Sequence, residues 1–368
     1  MKKLLGPCTN LQLEPFQYPI FWDITKAMRD NTWTPEEVGV ADDLATFHRL
    51  RSSEDKYDQS KLHWFKALWG QLTAFDMLRS EDALTLSLLI FKPEEIKHFL
   101  CRMQWDERLH TESYRYVVQN FGLPESGPDS IYEMWSHVPE MKARVEYAEK
   151  INDELAERVF STGGRDPSSW SLQGKQTILR SLIFWFLIFE KVWFLINLKG
   201  PISYMALPRA AANKPEFIGA AEQLWYIARD EEQHIRGGVE LIRHFVLEHP
   251  ETVTEGFLVK TQEMFEDCLY LESQFVNHCA QIAPILGYSP NDHLETARVF
   301  ANLGARATGF IPAPFPEARH RFPWMAEASE HKKETNFFEQ TPKDYRKGVD
   351  LGLDKIGSGM PTSVMDNP

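Results

Sequence analysis

The sequence has little cysteine, no excess of basic residues and no pattern of alternating strands. Its four cysteines, Cys8, Cys101, Cys268 and Cys279, are scattered over 368 residues without a Cys-x-x-Cys pair. This spacing argues against a disulfide framework or a zinc site and is usual for reduced thiols in the cytoplasm. The net charge of −13 argues against a nucleic-acid-binding surface.

The sequence has one long hydrophobic run, SLIFWFLIFEKVWFLINL at residues 181–198, and no second one. Its length would suit a membrane span, but Glu190 and Lys191 lie at its centre, where charge is costly in a bilayer. A helix that is apolar on all sides is also typical of the centre of a large helical protein. The N-terminal MKKLLGPCTN has too short an apolar part for a signal peptide. We therefore predict a cytoplasmic protein that does not enter the membrane.

Apolar residues recur three or four positions apart through most of the chain, which is the spacing of amphipathic helices. This pattern predicts helices over 61–91, 93–121, 139–160, 174–198, 216–248 and 255–286. Loops rich in glycine and proline separate them, so we expect one all-α helical bundle over residues 1–330. From residue 331 the composition turns polar, and residues 331–368 are interpreted as a flexible tail.

The pattern Glu-x-x-His, which places both side chains on one face of a helix, occurs four times. The pairs are Glu95/His98, Glu107/His110, Glu231/His234 and Glu317/His320. We interpret the first as surface charges at a helix start after Pro93, and the last as surface charges in a proline-rich loop.

The two remaining pairs lie on faces that are otherwise apolar. Glu107 and His110 share a face with Met103, and Glu231 and His234 share one with Leu224. One such pair alone would be explained by an ordinary polar contact at the edge of a core. Two pairs on two buried faces favour a metal site, because helical bundles hold metal pairs with this motif and carboxylates from other helices.

A site of this kind needs two further carboxylates on two other apolar helices. Glu190 is the only acid between residues 181 and 215, and Asp76 lies one turn beyond Leu72 on an inward helix face. Buried carboxylates would repel one another without a cation, so a pair of metal ions would offset their burial. The predicted ligands are Asp76, Glu107, His110, Glu190, Glu231 and His234.

Four segments resemble one family in particular. WDERLHTESY at 105–114 and IARDEEQH at 227–234 resemble the metal-binding helices of the small, radical-generating subunit of class I ribonucleotide reductase, a ferritin-like protein. NTWTPEEVGV at 31–40 and TNFFEQTPKDYRKGV at 335–349 resemble its N-terminal tryptophan segment and its C-terminal stretch. The resemblance covers roughly residues 20–350, and the spacing from Glu190 to Glu231 is several residues longer than is usual in the family.

The resemblance implies a ferritin-like bundle in which two metal ions react with O₂. Di-iron is favoured, with manganese–iron and di-manganese as alternatives, because these sites share nearly the same ligands. It further implies that Tyr114 is oxidised to a radical and that Trp33, Asp230 and His110 relay it toward Tyr345 in the tail. The partners implied are a second copy of the chain, in a homodimer, and the large subunit that reduces ribonucleotides.

Other interpretations remain open from the sequence. Tyr114 could be an ordinary core tyrosine and Asp230 a surface acid. The chain could be a related dimetal oxidase that acts alone on a small ligand, for which Trp33 and Tyr345 would have no role. An iron-storage bundle or an inactive helper of the large subunit are further possibilities.

Overall fold

The computed structural model describes residues 3–6, 13–124, 126–127, 130–162, 166–207, 215–322 and 324–325. Within these ranges the chain is helical, and the only β-structure among them is an isolated bridge between Ile285 and Tyr288. The predicted all-α fold is therefore confirmed.

The first part of the bundle is built from helices that begin at recognisable capping residues. The Asp55 side chain accepts hydrogen bonds from the backbone N–H groups of Tyr57 and Asp58, which fixes the start of one long helix. Another follows Pro93 and ends before Gly122, whose φ of +60° suits glycine. The helices are α1 (Pro19–Asp30), α2 (Ala41–Ser52), α3 (Lys56–Leu78), α4 (Leu84–Ile90) and α5 (Glu94–Asn120).

The second part adds the longest helix of the described chain, which carries the motif DEEQH, and several that surround it. Side chains of Ser171, Thr254 and Ser289 cap the helices that follow them. The helices are α6 (Met134–His137), α7 (Pro139–Ser161), α8 (Leu172–Ile183), α9 (Leu195–Leu198), α10 (Pro201–Ala206), α11 (Ile218–Glu248), α12 (Glu255–Cys279) and α13 (Pro290–Thr308).

Two stretches of π-helix interrupt these helices. The first π segment, Arg79–Ala83, joins α3 to α4, and the second π segment, Phe184–Phe194, joins α8 to α9. The wider π turn changes which residues face the core, and such turns are frequent at functional sites. Glu190 lies in the second π segment.

The hydrophobic run around Glu190 is a core helix of this bundle. Leu172–Ala206 is long and apolar enough to cross a membrane, with a mean hydropathy of 1.7, but 94% of its most apolar window is buried inside the protein. Lys191, for which the sequence suggested no partner, lies with its ammonium group 5.6 Å from the centre of the Phe300 ring. At this position an aromatic face stabilises the charge of the Lys191 ammonium group.

The predicted helix boundaries hold to within two residues except at two ends, and some helices were not predicted. The helix predicted from residue 61 begins at Lys56, after the Asp55 cap. The pattern over 255–286 ends as a helix at Cys279, several residues before Pro284, which disfavours helical backbone at the residue before it. The helices α1, α2, α6, α10 and α13 are additional. The interpretation of Glu95 as a surface charge is wrong: its side chain is fully buried and accepts hydrogen bonds from the N–H groups of Gln17 and Tyr18.

Away from the predicted site, a second group of buried polar side chains joins three helices. Glu272 on α12 pairs with Arg144 on α7 at 2.7 Å and contacts His293 on α13 at 2.9 Å. All three side chains are fully buried. The group consists of a matched ion pair with a histidine, so we assign it to the cohesion of the bundle.

Candidate metal centre

All six predicted metal ligands converge in the middle of the bundle. Asp76 lies near the end of α3, Glu107 and His110 on α5, Glu190 in the second π segment, and Glu231 and His234 on α11. Each is at most 1% exposed. The helices that carry them, α3, α5, α11 and the second π segment, are held by apolar contacts on every side, so these polar groups are withdrawn from water.

The six side chains form two overlapping groups whose candidate ligand atoms all lie within 4.8 Å of one another. We call the group of Asp76, Glu107, His110 and Glu231 the first position, and the group of Glu107, Glu190, Glu231 and His234 the second position. Glu107 and Glu231 belong to both. This arrangement suits two neighbouring cations that share two bridging carboxylates.

The bonding of these groups tests whether a metal pair fits. Both oxygens of Asp76, both oxygens of Glu107, Oε1 of Glu231 and Nδ1 of His110 are buried without a hydrogen-bond partner. Unpaired buried carboxylate oxygens are costly unless a cation contacts them. Carboxylate and imidazole together suit iron and manganese. The residues therefore fit a dimetal site.

The electrostatics of the site agree with crowded acids. Burial raises the pKa of Asp76 well above its ordinary value, and the neighbouring Glu107 raises that pKa further. Burial likewise raises the pKa of Glu190, with Glu231 and Glu107 adding to the effect. Protons or cations are thus needed to hold these carboxylates together.

Each histidine of the site uses its outer nitrogen to contact an aspartate on the opposite helix. His110 Nε2 on α5 lies 3.4 Å from Asp230 Oδ2 on α11, and His234 Nε2 on α11 lies 3.4 Å from Asp106 Oδ2 on α5. The inner Nδ1 atoms face the carboxylates, at 3.4 Å from His110 to Glu107 and 2.8 Å from His234 to Glu231. Such outer contacts fix the orientation of an imidazole toward a metal.

Sequence reasoning identified Asp230 but missed Asp106. The signal was present, because DERLH at 106–110 and DEEQH at 230–234 both read Asp-Glu-x-x-His. The two aspartates differ in their other partner. Asp106 pairs with the Arg102 guanidinium at 2.6 Å, whereas Asp230 accepts a hydrogen bond from an indole.

That indole belongs to Trp33, one of the predicted relay residues. Trp33 Nε1 donates to Asp230 Oδ2 at 2.7 Å, and the tryptophan is 2% exposed. Its ring stacks on Tyr226 with centroids 5.3 Å apart. Trp33, Asp230 and His110 therefore form an unbroken chain of contacts that ends at the first position.

Tyr114 lies one helical turn after His110 on α5 and is fully buried. Its ring packs edge-on against Trp69 with centroids 5.6 Å apart. Burial raises the pKa of Tyr114 well above its ordinary value, and the Asp76 carboxylate raises it further. The phenol is consequently neutral and screened from water.

Sequence reasoning also missed Arg79, which touches one of the candidate ligands. Arg79 Nε donates to Glu190 Oε1 at 2.9 Å, and both side chains are 1% exposed. The arginine lies one turn after Asp76, at the start of the first π segment. No sequence signal marked it, because an arginine near a helix end is ordinarily a surface residue.

The remaining predicted residues take other places. Tyr345 lies outside the described residues, as does the segment 208–214 within the long connection from Glu190 to Glu231. Glu317 is exposed, in agreement with its interpretation as a surface charge.

Comparison with known proteins decides the family. The family model described as "Ribonucleotide reductase, small chain" matches residues 10–313. This chain belongs to the ribonucleotide reductase small-chain family. Members of this family are oxidoreductase subunits, and the chain is 25% identical to the ribonucleoside-diphosphate reductase subunit beta of Chlamydia pneumoniae over 95% of each chain.

Two kinds of solved structure share the fold of this family member. The R2 subunit of ribonucleotide reductase from Clostridium botulinum is 20% identical, with a TM-score of 0.71 over 89% of this chain and 94% of that one. An R2-like ligand-binding oxidase with a Mn/Fe cofactor is 16% identical, with a TM-score of 0.56 over 81% of this chain and 94% of that one. The predicted ferritin-like architecture is thereby confirmed.

Proposed function

We propose that this chain generates and exports the radical used by a class I ribonucleoside-diphosphate reductase. The observation that carries the proposal is the chain of contacts from Trp33 through Asp230 to His110, which joins the candidate metal centre to the N-terminal segment. A metal site alone is compatible with many reactions. A buried indole, that of Trp33, donates to Asp230, which contacts the site histidine His110, and this arrangement suits transfer of charge away from the site.

The proposed cofactor is a pair of metal ions held by the first and second positions, with di-iron favoured over manganese–iron and di-manganese. When bound, this pair and O₂ supply a strong one-electron oxidant. The oxidase with a Mn/Fe cofactor shares this fold, so manganese at one position is compatible with the architecture. The apolar shell around the six ligands excludes water and reductants from the oxidant.

Tyr114 is the residue proposed to hold the radical. Tyr114 would lose one electron, to the oxidant supplied when the metal pair is bound, together with its hydroxyl proton, and would become a neutral phenoxyl radical. The Asp76 carboxylate, which is the charged group with the largest effect on the Tyr114 pKa, is the proposed acceptor of that proton. Complete burial of the ring protects the product.

Trp33, Asp230 and His110 are proposed to carry the oxidising equivalent between the site and the surface. Asp230 Oδ2 holds the indole N–H at 2.7 Å and can keep or accept its proton as the charge on Trp33 changes. Tyr345 in the C-terminal tail is proposed to continue the transfer into a large subunit, which reduces the ribonucleotide. We further propose a homodimer in the cytoplasm.

The role of Tyr114 is tested by electron spin resonance on the full chain after addition of Fe²⁺ and O₂. We expect a tyrosyl signal that is absent from Tyr114→Phe. The matched control is Tyr288→Phe, because Tyr288 is also fully buried but its hydroxyl bonds to His293 at 2.7 Å, away from the site. The assignment is wrong if the signal survives in Tyr114→Phe or disappears in Tyr288→Phe.

The role of the relay is tested by ribonucleotide reduction with the cognate large subunit. Tyr345→Phe and Trp33→Phe should abolish reduction while the Tyr114 signal still forms. Reduction at the wild-type rate by either variant would exclude the corresponding step.

A stand-alone oxidase acting on a small ligand is the second candidate function, and the shared fold of the R2-like ligand-binding oxidase favours its consideration. The two functions differ in their need for a partner. Substrate oxidation by the metal-loaded chain alone, with no stimulation of ribonucleotide reduction in the presence of a large subunit, would support the oxidase.

A further inference from the structure

Arg79 is a cation in the interior of the protein with an unusually confined side chain. Its guanidinium carbon lies 5.0 Å from the centre of the Trp185 ring and 4.7 Å from the centre of the Phe186 ring. Aromatic faces on the guanidinium stabilise its charge and restrict its rotamers. The side chain therefore has little freedom to leave Glu190.

The contact with Glu190 is made by one atom of the guanidinium. Nε donates to Oε1 of the carboxylate at 2.9 Å, while Nη2 is buried without a hydrogen-bond partner. A guanidinium that served only to neutralise the carboxylate would donate from two nitrogens to its two oxygens, which is the stronger arrangement. Here a single donor holds a single oxygen.

The location of this contact gives it a consequence for metal binding. Glu190 belongs to the second position only, and it is the one ligand of that position that is not on α5 or α11. It lies in a π segment, a turn that is frequent at functional sites, and its Oε1 accepts the hydrogen bond from Arg79, which is outside the group of candidate ligands. This external contact is placed to fix the orientation of the carboxylate.

We propose that Arg79 is a positioning residue that holds Glu190, through its Nε–H group, as a one-oxygen ligand of the second metal position. The proposal rests on the dimetal function proposed above. It adds a residue that sets the metal affinity of the second position relative to the first. The guanidinium occupies Oε1, so the carboxylate cannot offer both oxygens equally to an ion. Removal of the Nε donor should weaken binding at the second position and leave the first position, which lacks Glu190, nearly unchanged.

Two substitutions separate the donor from the charge. The amide nitrogen of glutamine and the terminal methyl carbon of methionine both stand the same number of bonds from Cα as the arginine Nε. Arg79→Gln thus keeps an N–H donor at that place and removes the charge, whereas Arg79→Met removes both at similar side-chain length. The pair differs in the donor that the proposal invokes.

The experiment is an anaerobic titration of the metal-free full chain with Mn²⁺. Electron spin resonance measures the amounts of free and bound Mn²⁺ at each step. We expect the wild type and Arg79→Gln each to bind two ions. Each of the two Mn²⁺ affinities of Arg79→Gln should lie within about threefold of the corresponding wild-type affinity. In Arg79→Met one of the two affinities should fall by about 10- to 100-fold, the range found when a ligand's supporting contact is lost, and the spin-coupled signal of the ion pair should fade accordingly.

The outcomes separate this proposal from the dimetal function itself. A wild type that binds no Mn²⁺ refutes the dimetal function. Two ions bound with wild-type affinities by Arg79→Met overturn the role of Arg79 alone. Equal losses of affinity in Arg79→Gln and Arg79→Met would assign the effect to the arginine charge and would also overturn the proposed role of the Nε donor. An equal loss of affinity at both positions in Arg79→Met would overturn it too. Arg79→Leu replaces Arg79→Met if the latter does not fold.

Discussion

Gly238 on α11 lies in close contact with Phe186 of the second π segment. A Cβ atom at Gly238 would lie 2.6 Å from the Cβ of Phe186 and closer still to its ring. The Phe186 Cβ is fixed by its backbone, so a rotamer change cannot relieve the overlap. Gly238→Ala must therefore move the second π segment away from α11 by about 1 Å, because packed interiors have no spare volume.

The expected cost follows from two opposing terms. Overpacking of a core costs about 1–3 kcal/mol, while alanine is favoured over glycine inside a helix by about 1 kcal/mol. We expect a net loss of up to about 2 kcal/mol in the free energy of unfolding. The same displacement draws Glu190 away from Glu231, so the affinity of the second metal position should fall as well.

Gly304 on α13 provides a matched control. A Cβ atom there would lie 3.5 Å from Lys191 Cγ and 3.6 Å from Leu187 Cβ, which are ordinary contacts with the same π segment. Gly304→Ala should thus raise the free energy of unfolding by about 0.5–1 kcal/mol through helix propensity alone and leave metal binding unchanged.

Urea unfolding of the metal-free variants measures the stability terms, and Mn²⁺ titration measures the second position. Equal stabilities for Gly238→Ala and Gly304→Ala would refute the packing argument. Loss of stability in Gly238→Ala with two undiminished Mn²⁺ affinities would show that this helix contact does not set the position of Glu190.

Three further outcomes are expected. Glu272→Ala should lower the free energy of unfolding by about 3–5 kcal/mol in urea, because it leaves the Arg144 guanidinium buried without its partner. Asp106→Ala should lower the Mn²⁺ affinity of the second position about 10- to 100-fold, since it frees the histidine of that position. Burial lowers the pKa of His63 and of His278, whose rings lie 4.9 Å apart. At these two histidines the unfolded chain binds more protons than the folded one below about pH 6.5, so the free energy of unfolding of the wild type relative to that of His63→Gln should fall as the pH drops from 7 to 5.

The fold and the residues that converge at the candidate metal centre could be predicted because both depend on patterns along single helices. Residues three and four apart define a helix face, so spacing alone places the pairs Glu107/His110 and Glu231/His234 on apolar faces. Glu190 followed from the lack of any other acid nearby. These inferences need no knowledge of how helices pack.

Arg79, Asp106 and Glu95 could not be predicted, because their roles depend on contacts between helices. Arg79 faces Glu190 only because a π segment occurs at each of the two residues, and no residue pattern announces such a turn. Glu95 is buried because the N-terminal segment crosses the start of α5 and brings two backbone N–H groups to it. Sequence spacing describes a helix face but not the partner that covers it.

The repeated motif Asp-Glu-x-x-His gives α5 and α11 an approximate twofold relation, and the fold breaks this symmetry at one place. The residue one turn after the motif is Tyr114 on α5 and Gly238 on α11. On one side the phenol of Tyr114 lies near the first position, and on the other the missing side chain makes room for Phe186. The two aspartates of the motif differ in the same way, because Asp230 accepts from the Trp33 indole whereas Asp106 pairs with the Arg102 guanidinium. Under the proposed function, this asymmetry gives a site with two similar metal positions a direction, because an oxidisable indole is in contact with only one of them.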